Sequence, residues 1–109
     1  CQHDFKRSLK GVLLLCYAYR RNMLYFYILE SQKDSNYFYK GSTGDLRKRF
    51  AQHSNGEVDS TRPHGPWRLV YYEAYVSEKA ARLRESAVKQ SGSISVPLLR
   101  RIKESLKSI

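Results

Sequence analysis

Aromatic and branched side chains are concentrated in two short runs in the first half of the chain. Residues 24–30 and residues 37–41 are rich in tyrosine, phenylalanine and branched residues, and residues 31–36 between them are polar. Such runs favour strands, and the Asp-Ser-Asn that ends the polar stretch is typical of a turn, so the pattern predicts a β-hairpin. Side-chain alternation places two tyrosines on one face of each strand: Tyr25 and Tyr27 in the first, Tyr37 and Tyr39 in the second.

A helix is predicted directly after the hairpin. Residues 41–45, Gly-Ser-Thr-Gly-Asp, end the second strand, and either Thr43 or Asp45 can cap the helix that follows. The apolar stripe of this helix consists of Leu46 and Phe50. Two polar side chains lie one helical turn apart along an edge of that stripe: Arg49 and His53.

The second half of the chain predicts one more strand and a second helix. After a polar loop, residues 67–75 have the aromatic and β-branched composition of a strand, and Ser77 is the expected cap of a helix that extends to about Gln90. The side chains predicted to be buried on this helix are Ala80, Ala81, Leu83, Ala87 and Val88. Arg84 projects into this stripe, and Glu85 lies at its margin, where a carboxylate can still reach a cleft.

A last helix is predicted after the break at residues 91–93, with Ser95 as its cap and Pro97 in its first turn. Its inward-facing residues are Leu98, Leu99, Ile102 and Leu106, and its exposed cations are Arg100, Arg101, Lys103 and Lys107. The element order is β-β-α-β-α-α. The fold class is therefore α/β in the form of an α+β sandwich, with a small three-stranded antiparallel sheet flanked by helices.

Residues 1–22 do not match the rest of the chain. They are interpreted as an N-terminal extension of unknown role, with the domain spanning residues 23–109. The apolar run at residues 12–19 is too short to span a bilayer. Cys1 and Cys16 show no zinc-ligand spacing and indicate no disulfide framework, so the expected compartment is the cytoplasm. No membrane association and no small-molecule organic cofactor are expected.

The charge balance indicates a nucleic-acid partner. The 109 residues include 20 Lys and Arg against 10 Asp and Glu, a formal net charge of +10. Neutralising phosphates supplies affinity that does not depend on base sequence, and two of the predicted helices carry clusters of cations. DNA is the expected partner, and the chain is compatible with a monomer. A basic surface that only keeps the protein in solution is the alternative interpretation.

The candidate chemistry is phosphodiester hydrolysis. The sequence contains no Gly-rich phosphate loop, no Gly-x-Ser-x-Gly elbow and no His-Glu-x-x-His motif. Tyrosines, one Arg, one His and one Glu from different elements could instead converge. Hydrolysis needs a group that deprotonates or orients water, a cation for the pentacovalent charge and a carboxylate for a divalent metal. Because the sequence supplies one obvious metal carboxylate, a one-metal mechanism is favoured over a two-metal mechanism.

Five pieces of the sequence occur in an order and spacing that resemble a known family. They are residues 25–29, the Tyr39-Lys40-Gly41 tripeptide, the Leu46-x-x-Arg49-x-x-x-His53 helix start, residues 66–73 and the Arg84-Glu85 pair. Together they look like the GIY-YIG endonuclease domain, and in particular its small single-domain bacterial members, over about residues 23–89. Each piece is weakly specific alone, whereas their order and spacing together are strongly specific.

The resemblance implies a role for five side chains. Tyr27 and Tyr39 match the tyrosines of the family's two motifs. Arg49 matches its phosphate-binding arginine, His53 a histidine of many members, and Glu85 the glutamate that holds one Mg²⁺ or Mn²⁺ ion. In the family mechanism one tyrosine takes a proton from the attacking water, the arginine steadies the phosphate and the metal stabilises the leaving oxygen. The side chains expected to contact nucleic acid are Lys40, Ser42, Arg47 and Lys48.

The chain departs from the family pattern at three places. Tyr25-Phe26 stands in place of the Gly-Ile of the first motif, a change that resembles the small bacterial branch. Lys40 replaces the middle Ile of the second motif, and its head either reaches solvent or binds phosphate. Ser42 stands where repair nucleases often have a lysine, which would remove the usual additional cation near the water.

Three functions are compatible with these features. The first is a metal-dependent endonuclease that hydrolyses DNA phosphodiester bonds, with DNA repair or recombination as its setting. The second is a non-catalytic nucleic-acid-binding protein on the same scaffold, which Lys40 and Ser42 favour. In that case Tyr27 and Tyr39 would be half-buried strand residues, and His53 would only stabilise a helix end. The third is a protein-interaction module that docks through the N-terminal apolar run.

Overall fold

The computed structural model describes residues 23–108, so the predicted extension with its two cysteines lies outside the described residues. The elements follow the predicted order: β1 (Leu24–Ser31), β2 (Phe38–Thr43), α1 (Leu46–Ser54), β3 (Trp67–Tyr75), α2 (Glu78–Gln90) and α3 (Gly92–Lys107). A short 3-10 helix, Arg62–His64, lies in the loop before β3. Within the described range, no helix is long and apolar enough to cross a membrane.

The three strands form the predicted antiparallel sheet, in the order β2-β1-β3. A turn joins β1 to β2, and Asn36 in this turn adopts a φ of 62°. Asparagine tolerates this left-handed backbone because its short side chain can hydrogen-bond locally. Since β3 returns to the free edge of β1, the central strand is flanked on both sides. Its four central residues are at most 1% exposed: Phe26, Tyr27, Ile28 and Leu29.

Alternation along β1 divides the core into two layers. Phe26 and Ile28 pack against α2 and α3, whose buried contributions are Val88, Leu98 and Ile102. Tyr27 and Leu29 point to the opposite face, where they pack with Trp67 and with the two α1 residues Leu46 and Phe50. The predicted apolar faces of α1 and α3 are therefore confirmed. The sheet lies between one helix on one side and two on the other.

A β-bulge in β3 changes which layer of the core its side chains pack into. Ile28 pairs with Tyr71, whereas Leu29 pairs with Leu69, so Val70 is the additional residue. Val70 and Tyr71 therefore both pack into the α2–α3 layer, while Leu69 packs on the α1 side.

The predicted buried stripe of α2 is wrong at Leu83, whose side chain is 60% exposed. The rotation of α2 is determined instead by Arg84, whose guanidinium donates to both carboxylate oxygens of Glu73 on β3 at 3.0–3.2 Å. Two further donors to this carboxylate are Tyr71 and Tyr75. Although burial raises the pKa of Glu73, these hydrogen bonds together hold it below its ordinary value. The ion pair turns the Leu83 side of the helix to solvent.

The start of α3 is also corrected. The helix begins at Gly92 with Ser91 as its N-cap residue, and the predicted cap Ser95 already lies inside it. The Ser91 carbonyl accepts hydrogen bonds from the backbone N–H groups of Ile94 and Ser95 at 3.2 and 2.9 Å. Pro97 therefore lies in the second turn instead of the first, at the cost of one backbone hydrogen bond.

Candidate active site

The site is built around the hydroxyl of Tyr27, at the centre of β1. Tyr27 Oη lies 2.9 Å from His53 Nε2, and His53 Nδ1 lies 2.8 Å from Thr61 Oγ1. The Thr61 hydroxyl donates to the Val58 carbonyl at 3.3 Å. Because the Thr61 hydrogen is directed to Val58, Thr61 Oγ1 accepts the hydrogen of Nδ1. His53 Nε2 is then the acceptor for the Tyr27 hydroxyl.

Local structure positions each member of this chain of hydrogen bonds. The Asp45 carboxylate caps α1 by accepting from the backbone N–H of Lys48 at 3.0 Å, which confirms one of the two predicted caps. The helix then carries His53 in its last turn, under the sheet. Thr61 arrives from the following loop and is 1% exposed. Its backbone carbonyl accepts from the Trp67 indole at 3.0 Å, which attaches this loop to the start of β3.

Burial keeps both rings of the pair neutral. It lowers the pKa of His53 to about 4, with the Arg49 charge acting in the same direction. Burial also raises the pKa of Tyr27 to about 12, although the nearby Arg49 guanidinium opposes the rise. The charges of Tyr39 and Glu85 add to the rise, which places both groups in the electrostatic environment of the Tyr27 phenol. At neutral pH the phenol is therefore a hydrogen-bond donor and the imidazole an acceptor.

Gly41 allows β2 to approach this pair closely. It is the register partner of Tyr27. A Cβ atom at residue 41 would lie 2.6 Å from Tyr27 Oη and 2.8 Å from its Cζ, which is closer than atoms can approach. The Tyr39 ring lies beside it, with its centroid 6.3 Å from that of Tyr27 and 5.1 Å from that of His53.

Arg49 lies at the edge of the cluster, in a cleft of about 390 Å³. Its guanidinium donates to Gln52 Oε1 at 3.0 Å. This cleft, called the edge cleft below, is lined by Ser42, Thr43, Asp45, Lys48, Arg49 and Gln52. Two cations therefore line a concave surface beside the buried phenol.

Glu85 reaches the cluster from α2, on the opposite face of the sheet. The Ser42 hydroxyl donates to its Oε1 at 2.5 Å, and the Lys89 ammonium donates to its Oε2 at 2.7 Å. The Glu85 side chain is 21% exposed. Because Ser42 lines the edge cleft and also bonds to Glu85, the Ser42 side chain links the Glu85 carboxylate to the cleft that Arg49 lines.

The residues predicted to contact nucleic acid are not all together. Lys48 and Ser42 line the edge cleft, and Ser42 also holds Glu85. Arg47 lines a neighbouring groove on the other side of the α1 start. Lys40 pairs with Ile28 and so lies on the α2–α3 side of the sheet, where it is half-buried.

Three contributors were not predicted from the sequence. Lys89 lies four residues after Glu85 on the same helix, a spacing that could have identified the ion pair. Gln52 lies three residues after Arg49 and could have been found in the same way. Thr61 had no such signal, because its place next to His53 depends on the path of the twelve-residue loop between α1 and β3.

The protein family is identified by comparison with known families. Residues 23–93 match the family model of the GIY-YIG catalytic domain. The chain belongs to the GIY-YIG family. Membership implies a nuclease-type function on a nucleic-acid substrate, and GIY-YIG nucleases generally use divalent metal ions.

Individual relatives match about three-fifths or more of the chain. The chain is 39% identical over 69 residues to a UPF0213 protein of Clostridium perfringens, a match covering 62% of this chain and 72% of that protein. It is also 39% identical over 67 residues to a UPF0213 protein of Streptococcus pyogenes, covering 61% and 71%. The solution NMR structure of a UPF0213 protein from Bacillus halodurans is 36% identical, covers 79% of this chain and 83% of that one, and has a TM-score of 0.42.

The donor set fits a single divalent ion of the kind GIY-YIG nucleases use. Within residues 23–108, no three His, Cys, Asp or Glu side chains come together as ligands. Mg²⁺ is commonly bound by one or two carboxylates plus substrate phosphate, and it retains several waters. Glu85 alone meets that requirement if the substrate supplies the other oxygens. For an ion to bind at Oε2, the Lys89 ammonium that donates to this oxygen would have to move away.

Proposed function

We propose that this protein is a metal-dependent endonuclease that hydrolyses DNA phosphodiester bonds, in the cytoplasm and in DNA repair or recombination. One observation carries the proposal. Two phenols and an imidazole lie against one another, the Arg49 guanidinium lies near the Tyr27 phenol, and Ser42 on β2 holds a carboxylate. The residues proposed to be catalytic are Tyr27, Tyr39, Arg49, His53 and Glu85.

Tyr27 activates the water in this proposal. As the phenol proton passes to His53 Nε2, 2.9 Å away, the phenolate oxygen accepts a proton from the water. The water oxygen bonds to phosphorus, and the bond between phosphorus and the leaving oxygen breaks. In the free protein the pKa values of about 12 for Tyr27 and about 4 for His53 oppose the first transfer. Cations at the site must therefore stabilise the phenolate, and Arg49 is one of them.

The phosphate binds in the edge cleft. Arg49 and Lys48 supply positive charge there, and a guanidinium can donate two parallel hydrogen bonds to one phosphate. Glu85 holds one Mg²⁺ or Mn²⁺ ion. When bound, such an ion stabilises the charge that develops on the leaving oxygen. Ser42 positions the carboxylate through its 2.5 Å hydrogen bond.

Cleavage assays with matched variants test the proposal. The chain is incubated with supercoiled plasmid, single-stranded DNA and branched DNA, with Mg²⁺, Mn²⁺ or EDTA. Glu85→Gln and Arg49→Ala should each abolish cutting while the thermal melt stays close to wild type. The controls are Glu78→Gln and Arg82→Ala, because these two residues form an exposed ion pair on α2. Both controls should cut like the wild type.

Two results would contradict the proposal. Equal cutting by the wild type and by both site variants would identify a contaminating nuclease. Salt-dependent DNA binding without cutting of any substrate, with either metal, would establish the alternative function, a non-catalytic nucleic-acid-binding protein. That alternative is favoured by one observation: both oxygens of Glu85 already have partners, Ser42 and Lys89.

A further inference from the structure

A second concave surface lies on the other side of the α1 start. It is a groove of about 760 Å³, called the aromatic groove below. Its apolar and aromatic lining is contributed by Tyr25, Leu46, Phe50, Leu69 and Tyr72, and Arg47 lies at its side. The proposed hydrolysis uses none of these side chains. The volume lies within the range of about 300–1,000 Å³ in which proteins bind small molecules.

Tyr72 is the accessible wall of this groove. Its side chain is 54% exposed although it is a large aromatic residue in the middle of β3. Tyr25 supports it from the neighbouring strand, with ring centroids 6.0 Å apart and an interplanar angle of 66°. This edge-to-face contact holds the Tyr72 ring while much of its surface stays open to the groove.

Charge and position indicate what binds there. Arg47 lines the aromatic groove, and Lys48 and Arg49 line the edge cleft, so three consecutive cations connect the two surfaces. Asp45 lines both as well, but its carboxylate is engaged by the backbone N–H of Lys48. An anionic chain that follows the cations passes from the edge cleft into the aromatic groove. A nucleic-acid strand, in which each phosphate is followed by a flat base, matches this order of cations and then aromatic side chains.

We propose that the aromatic groove binds an unpaired base of the DNA strand whose phosphate lies in the edge cleft, with the base stacked on Tyr72. The assignment of the phosphate position rests on the proposed function. Paired bases have both faces covered by their neighbours in the duplex. The groove therefore selects strands with an unpaired nucleotide beside the scissile phosphate, such as flaps, gaps or single strands.

Equilibrium binding in EDTA tests the groove without requiring cleavage. Fluorescein-labelled single-stranded DNA and a fully paired duplex of the same sequence are titrated with the full chain by fluorescence anisotropy. Stacking of one base on an aromatic side chain is worth about 1–3 kcal/mol, so Tyr72→Ala should weaken single-strand binding by about 5- to 150-fold. Tyr72→Phe keeps the ring and should stay within about two-fold of the wild type. Duplex binding should be the same for all three proteins.

A 2-aminopurine base in the single strand gives a second readout. Stacking on Tyr72 should quench its fluorescence when the wild type or Tyr72→Phe binds, and much less when Tyr72→Ala binds. The logarithm of the affinity should fall with the logarithm of the salt concentration at the same slope for all three, because the ring contacts no phosphate.

The outcomes separate this inference from the proposed function. Tyr72-dependent single-strand binding by a protein that cuts nothing would support the groove and contradict the nuclease. Metal-dependent cutting with single-strand binding unchanged in Tyr72→Ala would overturn the inferred base binding in the groove and leave the proposed function standing. Equal losses on single strand and duplex, or no single-strand binding by the wild type, would also overturn it. Sedimentation velocity without DNA gives one more outcome. A dimer that Tyr72→Ala disrupts would also overturn the inference, because the occupant of the groove would then be a second copy of the chain.

Discussion

Acidification should destabilise the protein through His53. The side chain is 2% exposed and its pKa is lowered from 6.5 to about 4, so the folded state resists protonation while the unfolded state accepts it. Well above pH 6.5 the ring is neutral in both states, so the free energy of unfolding does not change with pH through this group. As the pH falls from 6.5 to 4 the unfolded state binds more protons, and the free energy of unfolding decreases. A shift of this size corresponds to about 3 kcal/mol over the whole window.

Urea denaturation between pH 4 and 7 measures this loss. Trp67, the one tryptophan of the sequence, is 5% exposed and reports unfolding by its fluorescence. His53→Gln removes the titrating group, so its free energy of unfolding should fall by about 3 kcal/mol less than that of the wild type across the window. His64→Gln is the matched control, because it leaves His53 in place and should retain the loss. Identical pH dependence in the wild type and His53→Gln would refute a buried neutral imidazole.

Three further substitutions test the packing around the site. Gly41→Ala should cost about 1–3 kcal/mol in urea denaturation and reduce cleavage, because the new methyl group displaces the Tyr27 hydroxyl. Thr61→Val should cost about 1–3 kcal/mol, since it leaves a buried imidazole N–H without an acceptor, whereas Thr61→Ser should restore most of this stability. Arg84→Met should cost about 1–3 kcal/mol at pH 7 and progressively less as the pH falls through the lowered pKa of Glu73, and a pH-independent cost would contradict the ion pair.

Strand and helix positions were predictable from local pattern, and orientations were less so. Residues 67–75 form β3 at the predicted bounds because the aromatic run has turn residues on either side. Leu83 was placed wrongly because two adjacent apolar rows of α2 can face a sheet. The choice is made by the Arg84–Glu73 ion pair, which joins α2 to the strand that precedes it. A contact between two elements has no signal in the periodicity of either one.

The candidate site shows the same division. Tyr27 and Tyr39 follow from strand alternation and from the family spacing, and the structure places their rings beside one another. Gly41 was predicted to end the second strand, whereas β2 continues to Thr43 and Gly41 lies against the Tyr27 phenol. Outside the site, the predicted start of α3 was wrong because Ser91 and Ser95 are both suitable N-cap residues, and Pro97 favoured the later one. The hydrogen-bond partner of His53 in the loop was not predictable either. A loop position that is 1% exposed depends on how the loop packs over the sheet.

The position of β2 at the edge of the sheet brings residues from its two opposite faces to one cleft. Gly41 points to the α1 layer, beside the Tyr27 phenol, and Ser42 points to the α2 layer, where it holds Glu85. If β2 were a central strand, a further strand would pair with its outer edge and close the way from one face of the sheet to the other. At an edge, both faces open into the same cleft beside Arg49. A one-residue shift in the β1–β2 register would turn Gly41 away from the Tyr27 side of the sheet and Ser42 away from the Glu85 side.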